Sequence, residues 1–345
     1  MKYFITVGVL LCLLACKSGK ADNAEESSLP NTVLKLEAND PTKFANTITT
    51  PKLKEAIYSF ASDEMEGRAT GTKGQKKAAE FLKNKYKELG IPSPEGIDYY
   101  QHIPKSYLRG VNEGSENVLA YIEGETLPNE IVVISAHYDH LGMDKEGGVF
   151  NGADDDASGT MGILQMAEAF AKAKQEGEGP KRSILFLHFT GEEIGLYGSR
   201  YYAENPIYAL ENTVVDLNVD MIGRIDDKHK EDPNYIYLIG SDRLSVELHN
   251  LSEEVNKKYS NFNFDYTYND KNDPNRFYYR SDHYNFAKYN VPIIFYFNGV
   301  HDDYHKTSDT ADKIEYELLT KRCQLIFYTA WEIANRSSRL RLINP

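Results

Sequence analysis

The chain has 345 residues, enough for one large domain or two of ordinary size. Hydrophobic residues make up 41% and charged residues 26%, which excludes disorder and collagen for the bulk of the chain. Its 39 Lys and Arg against 52 Asp and Glu leave a net charge of −13, and such an acidic chain is not built to hold nucleic acid, whose phosphates are gripped mostly by Lys and Arg.

At the N-terminus, Lys2 precedes an apolar run from Tyr3 to Ala15 that stops at Cys16. A run of roughly 13 residues is short for a membrane-crossing helix. A basic start, a short apolar core and a small residue at the boundary read as an export signal. Leu13-Leu14-Ala15-Cys16 resembles the lipobox of bacterial lipoproteins. That resemblance implies a signal peptide over 1–15, lipidation at Cys16, and a protein anchored by lipid to the cell envelope on the outer-membrane or periplasmic side. The polar stretch 16–40 is expected to be a tether. Of the three cysteines only Cys323 lies beyond this segment, so the body has no intrachain disulfide and no Cys-based zinc site.

From 41 to 341 no linker, repeat or low-complexity tract interrupts the chain. Helical periodicity runs from Lys73 to Leu89, where Gly90 and Pro92 stop it. Strand-like runs follow at 118–122 and 131–136, then an amphipathic helix from Ser158 to Lys174. Further apolar runs occupy 184–189, 214–219, 235–239 and 293–297, and a last helix spans Tyr316 to Arg336. Continuous apolar strands separated by helices predict a single α/β domain, its sheet covered on both faces. In such sheets function gathers beyond the carboxyl ends of the strands.

Those ends carry the chemistry. His137-Tyr138-Asp139 follows the strand 131–136, and a carboxylate beside a histidine can orient the imidazole. Gly152-Ala153-Asp154-Asp155-Asp156-Ala157-Ser158-Gly159 opens a helix. Capping accounts for Asp156 or Ser158, but a bound cation would offset the repulsion of all three carboxylates. Glu192-Glu193 follows the strand 184–189, where one carboxylate can bind metal while its neighbour activates water. Asp220 closes the strand 214–219, and His305 sits in the loop after 293–297. The pool His137, Asp154, Glu193, Asp220 and His305 offers only N and O donors, which suits zinc. Two zinc ions about 3.5–4 Å apart would need a shared carboxylate. Among the other histidines, His188 lies inside a strand and is expected to be core. His140 is expected to make a contact behind the ligands or within the loop, and His283 and His301 lie near the site with either a structural or a substrate-touching role.

Taken in order and spacing over residues 55–340, these motifs resemble the co-catalytic zinc aminopeptidases of peptidase clan MH. The resemblance implies a mixed, mostly parallel sheet flanked by helices and two zinc ions per chain, with one possible. Peptides with free N-termini would be the substrates. It makes Asp154 the bridging carboxylate, with His137 and Asp220 completing one zinc site and Glu193 and His305 the other. Glu192 would be the general base, Asp139 the partner of His137, and Tyr278 a donor to the transition state, although Phe277-Tyr278-Tyr279-Arg280 departs from the disulfide-bearing pattern of the members that use such a tyrosine. Three alternatives stand beside it. Glutaminyl cyclases share a related fold and use one zinc, but typically place a tryptophan where this chain has Tyr304. Carboxypeptidases of the clan usually carry added domains. Receptor-like binding members have lost metal ligands that this chain retains.

Overall fold

The computed structural model describes Met1 and residues 34–343; the expected signal peptide, Cys16 and the tether up to residue 33 lie outside the described residues. Its ten strands are β1 (Tyr100–Ile103), β2 (Ser115–Ile122), β3 (Leu127–His137), β4 (Gly142–Met143), β5 (Val149–Phe150), β6 (Arg182–Phe189), β7 (Thr213–Val219), β8 (Tyr235–Ile239), β9 (Asn263–Asp265) and β10 (Ile293–Phe297). The helices are α1 (Thr42–Ala45), α2 (Thr50–Phe60), α3 (Lys73–Glu88), α4 (Gly159–Gln175), α5 (Tyr197–Glu204), α6 (Val246–Tyr259), α7 (His283–Ala287) and α8 (Tyr316–Asn335).

Eight strands form one sheet in the order β1-β2-β6-β3-β7-β10-β8-β9, and β4 and β5 make a small separate hairpin. The central strands β6, β3, β7 and β10 run parallel. β1-β2, β2-β6 and β10-β8 are antiparallel, which makes the sheet mixed with a parallel middle. β6, β7, β8 and β10 are buried along their whole length, as continuous apolar runs covered on both faces should be.

Alternate residues serve alternate faces. Val132 and Ile134 of β3 join a core with α2, α3, α4, α6 and α8, whereas Ile131 and Val133 join a second core that reaches α5 and α7. The first layer carries the longer helices, with 16, 17, 14 and 20 residues in α3, α4, α6 and α8 against 8 and 5 in α5 and α7. Within it α4 and α8 approach closely at Gly162, where a Cβ would stand 2.8 Å from Cys323 Sγ. The end of the expected tether is docked on this layer. Leu34, Leu36 and Ala38 pack against the core at every second position of an extended segment. Glu332 accepts hydrogen bonds from the Glu37 and Ala38 amides, at 2.7 and 3.1 Å, and the Trp331 indole donates to the Asn39 carbonyl at 3.1 Å.

Candidate metal centre

The carboxyl ends of β3, β6, β7 and β10 point the same way and are followed by His137, Glu192-Glu193, Asp220 and the loop carrying His305. The acidic triplet enters from the turn before α4. Arg68, fully buried, fixes that turn by donating to the carbonyls of Tyr138, Asn151 and Gly152 at 2.9, 2.7 and 3.0 Å. Its burial pushes the guanidinium down to about 10, against the opposing pull of Asp155 and Asp139. Thr160 at the head of α4 donates to the His137 carbonyl at 2.6 Å and ties the helix to β3.

Asp155, not Asp154, is the shared carboxylate. One oxygen of Asp155 lies 3.1 Å from His137 Nε2, and that nitrogen lies 3.5 Å from Asp220. Its other oxygen lies 3.2 Å from His305 Nε2, which is also 3.2 Å from Glu193. Asp154 turns away: it accepts from the Gly223 amide at 2.6 Å and contacts His301 Nε2 at 3.1 Å. The physical reason is backbone conformation. Asp155 (φ −105°, ψ 96°) and Asp156 (φ −123°, ψ 48°) are not helical, so three consecutive side chains leave in three directions. Asp156 takes the third, accepting from the Gly159 and Met221 amides at 2.9 and 3.1 Å. A run of like residues gives no sign of which one faces the site.

Two groups of donor atoms result, each with its atoms within 4.8 Å of one another: His137, Asp155 and Asp220; and His140, Asp155 and Glu193. His140 was expected to make a contact behind the ligands or within the loop. Its Nδ1 lies 2.7 Å from Glu193 and 3.8 Å from Asp155, on the side that His305 approaches from the other loop. The sequence signal for it was the His137-x-x-His140 spacing. Asp139 is placed as expected beside His137, but the closer contact to Nδ1 is its main-chain oxygen, at 3.1 Å against 3.8 Å for the carboxylate. The carboxylate instead accepts from the Glu192 amide at 3.1 Å and from the Thr70 hydroxyl at 2.6 Å, and so orients the loop that carries Glu192.

The electrostatics separate the two glutamates. Desolvation and the nearby Glu193, Asp220 and Asp282 carboxylates push Glu192 well above the usual carboxylate range, against the pull of His137. Burial also tends to raise Glu193 and Asp155, but hydrogen bonds from His140 and His305 to the first, and from His137 and His305 to the second, hold both below that range. Burial acts to lower His305, yet its contacts with Asp155 and Glu193 raise it to about 10.

Tyr278 does not reach the site. It lies under Arg243, whose guanidinium carbon is 3.8 Å from the ring centroid, and faces a different cleft. Residues 277–279 form a 3-10 turn, in which successive side chains diverge by about 120°, so Phe277 enters the cavity and Tyr278 leaves it. The phenol at the cavity is Tyr304, stacked on His305 with ring centroids 3.8 Å apart. Of the remaining histidines, His188 is core as expected, bonded to the Tyr86 hydroxyl at 2.6 Å and pushed down to about 3 by burial. His283 is structural, held by the Tyr278 carbonyl at 2.8 Å. A larger cleft of about 680 Å³ lies beside Pro92, Pro128 and Tyr208, near the start of β3, and contains neither donor group.

A sequence profile described as "Peptidase family M28" matches residues 117–330, well over half of the chain and every residue of both donor groups. The chain belongs to peptidase family M28. Among relatives of this M28 chain, a probable zinc metalloprotease of Pyrenophora teres f. teres (strain 0-1) is 33% identical over 163 residues, covering 45% of this chain and 32% of that protein. The chain thus spans about a third of that relative's length. The LapA aminopeptidase of Legionella pneumophila has the same fold, with a TM-score of 0.68 at 20% identity over 88% of this chain and 78% of LapA. So does the glutaminyl cyclase of Porphyromonas gingivalis, with a TM-score of 0.64 at 17% identity over 81% of this chain and 97% of the cyclase.

Proposed function

We propose that this M28 chain is a metal-dependent aminopeptidase that removes residues from the free N-termini of peptides. The observation that carries the reading is the division of Asp155: one oxygen faces His137 and Asp220, the other Glu193, His140 and His305, and Glu192 lines the same cavity. The donors are imidazole nitrogens and carboxylate oxygens only, a set that fits zinc. His137, Asp155 and Asp220 would hold one ion; Asp155, Glu193 and His305, with His140 alongside, would hold a second. When bound, zinc supplies polarisation of the scissile carbonyl and a lowered pKa for water.

The chain's own groups do the rest. Glu192 lines the cavity beside the donor groups, where it takes the proton of the attacking water and passes it to the leaving amine. Asp139 holds the Glu192 amide and so sets the position of the base. Burial and the carboxylates Asp155, Glu193, Asp220 and Glu192 raise the Tyr304 hydroxyl, which stays a hydrogen-bond donor at neutral pH. Met221, Phe277, Phe295 and Phe297 also line the cavity and offer an apolar surface to the side chain of the residue removed.

The same proposal gives the protein its address: export directed by residues 1–15, a lipid on Cys16, and a catalytic domain over 41–341 with residues 34–40 docked on it. Among the described residues, no helix is long and apolar enough to cross a membrane. The test is incubation of the zinc-supplemented protein with free, blocked and Gln-started peptides, read by mass spectrometry. Stepwise loss of residues from free N-termini, abolished by a chelator, is the expected result. Loss of ammonia from Gln-started peptides alone would make the protein a cyclase, and unchanged peptides would leave a binding role.

A further inference from the structure

Among the described residues, Arg280 is the only Lys or Arg that lines the cavity holding His137, Asp155, Glu192 and Asp220. It is exposed, and its guanidinium carbon lies 4.9 Å from the centroid of the Phe277 ring. Among the described residues it has no carboxylate within ion-pairing distance, unlike Arg224, which pairs with Asp303 at 2.9 Å. Its surroundings on the cavity wall are apolar: Met221, Phe277, Phe295, Phe297 and Val300. Arg280 is therefore the one basic side chain on the apolar side of this cavity, at its exposed edge and without an anionic partner among the described residues.

We infer that Arg280 is a specificity residue that receives a carboxylate carried by the substrate, so that the preferred peptides are anionic at one end. The inference rests on the aminopeptidase reading and adds the substrate class to it. An apolar wall accepts the methylenes of a side chain or a short peptide, and a planar guanidinium at its edge offers paired donors to a carboxylate. The cation–π contact with Phe277 holds the guanidinium over the ring without using its N–H groups. Two sources supply such a carboxylate: an acidic side chain on the first residue, or the C-terminus of a dipeptide.

The test compares matched pairs on the zinc-loaded protein: Glu- against Gln-p-nitroanilide, and leucyl-glycine against its C-terminal amide. Each pair is measured by kcat/KM and, with turnover blocked by Glu192→Gln in both the Arg280 and the Arg280→Gln protein, by calorimetric titration. The expected result is that the wild type favours the carboxylate-bearing member of at least one pair, and that Arg280→Gln lowers that preference by about tenfold or more. Arg280→Lys keeps part of it. A loss confined to the p-nitroanilide pair places the carboxylate on the first side chain; a loss confined to the dipeptide pair places it on the C-terminus. Equal ratios in wild type and Arg280→Gln for both pairs, in rate and in binding, would overturn the inference. Turnover of Leu-p-nitroanilide by the wild type reports separately on the aminopeptidase reading.

Discussion

His137 and Asp220 stand at the ends of neighbouring buried strands, whereas Glu193 and His305 stand on loops. The side chain of His137 is 1% exposed and that of His305 is 37% exposed. Asp155 belongs to both halves. The strand-held half has its geometry fixed by the sheet ladder and by the Thr70–Asp139 and Thr160–His137 contacts behind it. The loop-held half depends on side chains meeting one another. A site assembled in this way is expected to be rigid on one side and adjustable on the other, where substrate enters.

The sharpest way to break this comparison is to remove the element common to both halves. Asp155→Asn is expected to lower activity by about 10⁴-fold and to leave less than one tightly held metal per chain by elemental analysis, whereas Asp154→Asn should cost only about tenfold. Equal losses in the two variants would restore Asp154 as the bridge. Next in size, Glu192→Gln should lower kcat by about 10³-fold while metal content stays at the wild-type level. A variant that lost metal would show Glu192 to be a ligand rather than a base. A smaller effect separates the halves themselves. His305→Ala should weaken one metal by about 10- to 100-fold and leave the other, because His140 remains beside Glu193. His137→Ala should weaken the metal of the strand-held half by more than that. Competition with a chelator of known affinity reads both.

The smallest effect is the response to pH in chelator. The imidazole of His305 is raised from its ordinary 6.5 to about 10 by Asp155 and Glu193, so its protonated form stabilises the fold. That contribution is full below pH 6.5 and is lost as the pH rises through about 10. The thermal midpoint of the wild type should fall across that window by more than the midpoint of His305→Gln. Parallel curves would mean that the loop-held half adds no stability of its own.

The sheet and its long helices were legible because buried parallel strands are continuous apolar runs, and α3, α4 and α8 carry one-sided periodicity; the helix bounds differ from the sequence reading by a residue at most, whereas β2, β3 and β6 begin three, four and two residues earlier than read. The placing of His137, Glu193, Asp220 and His305 followed from the same logic, since the ends of those strands are where a shared site can form. Three details were not legible. Asp155 could not be told from Asp154, because the choice rests on non-helical dihedrals within the triplet. Tyr278 and Tyr304 could not be ranked, because a 3-10 turn rotates one out and stacking on His305 holds the other in. His140 looked like a loop residue because its partner, Glu193, comes from a loop 53 positions away.

The docking of residues 34–40 has a spectroscopic consequence. Trp331 is the chain's only tryptophan, and its indole N–H is spent on the Asn39 carbonyl while its ring rests among Phe44, Phe170 and Phe327. Intrinsic emission excited at the tryptophan edge therefore comes from a single indole at the seam between the N-terminal segment and α8. Peeling that segment away would wet this fluorophore and shift its emission to the red, giving an optical gauge of how firmly the domain holds its own leash.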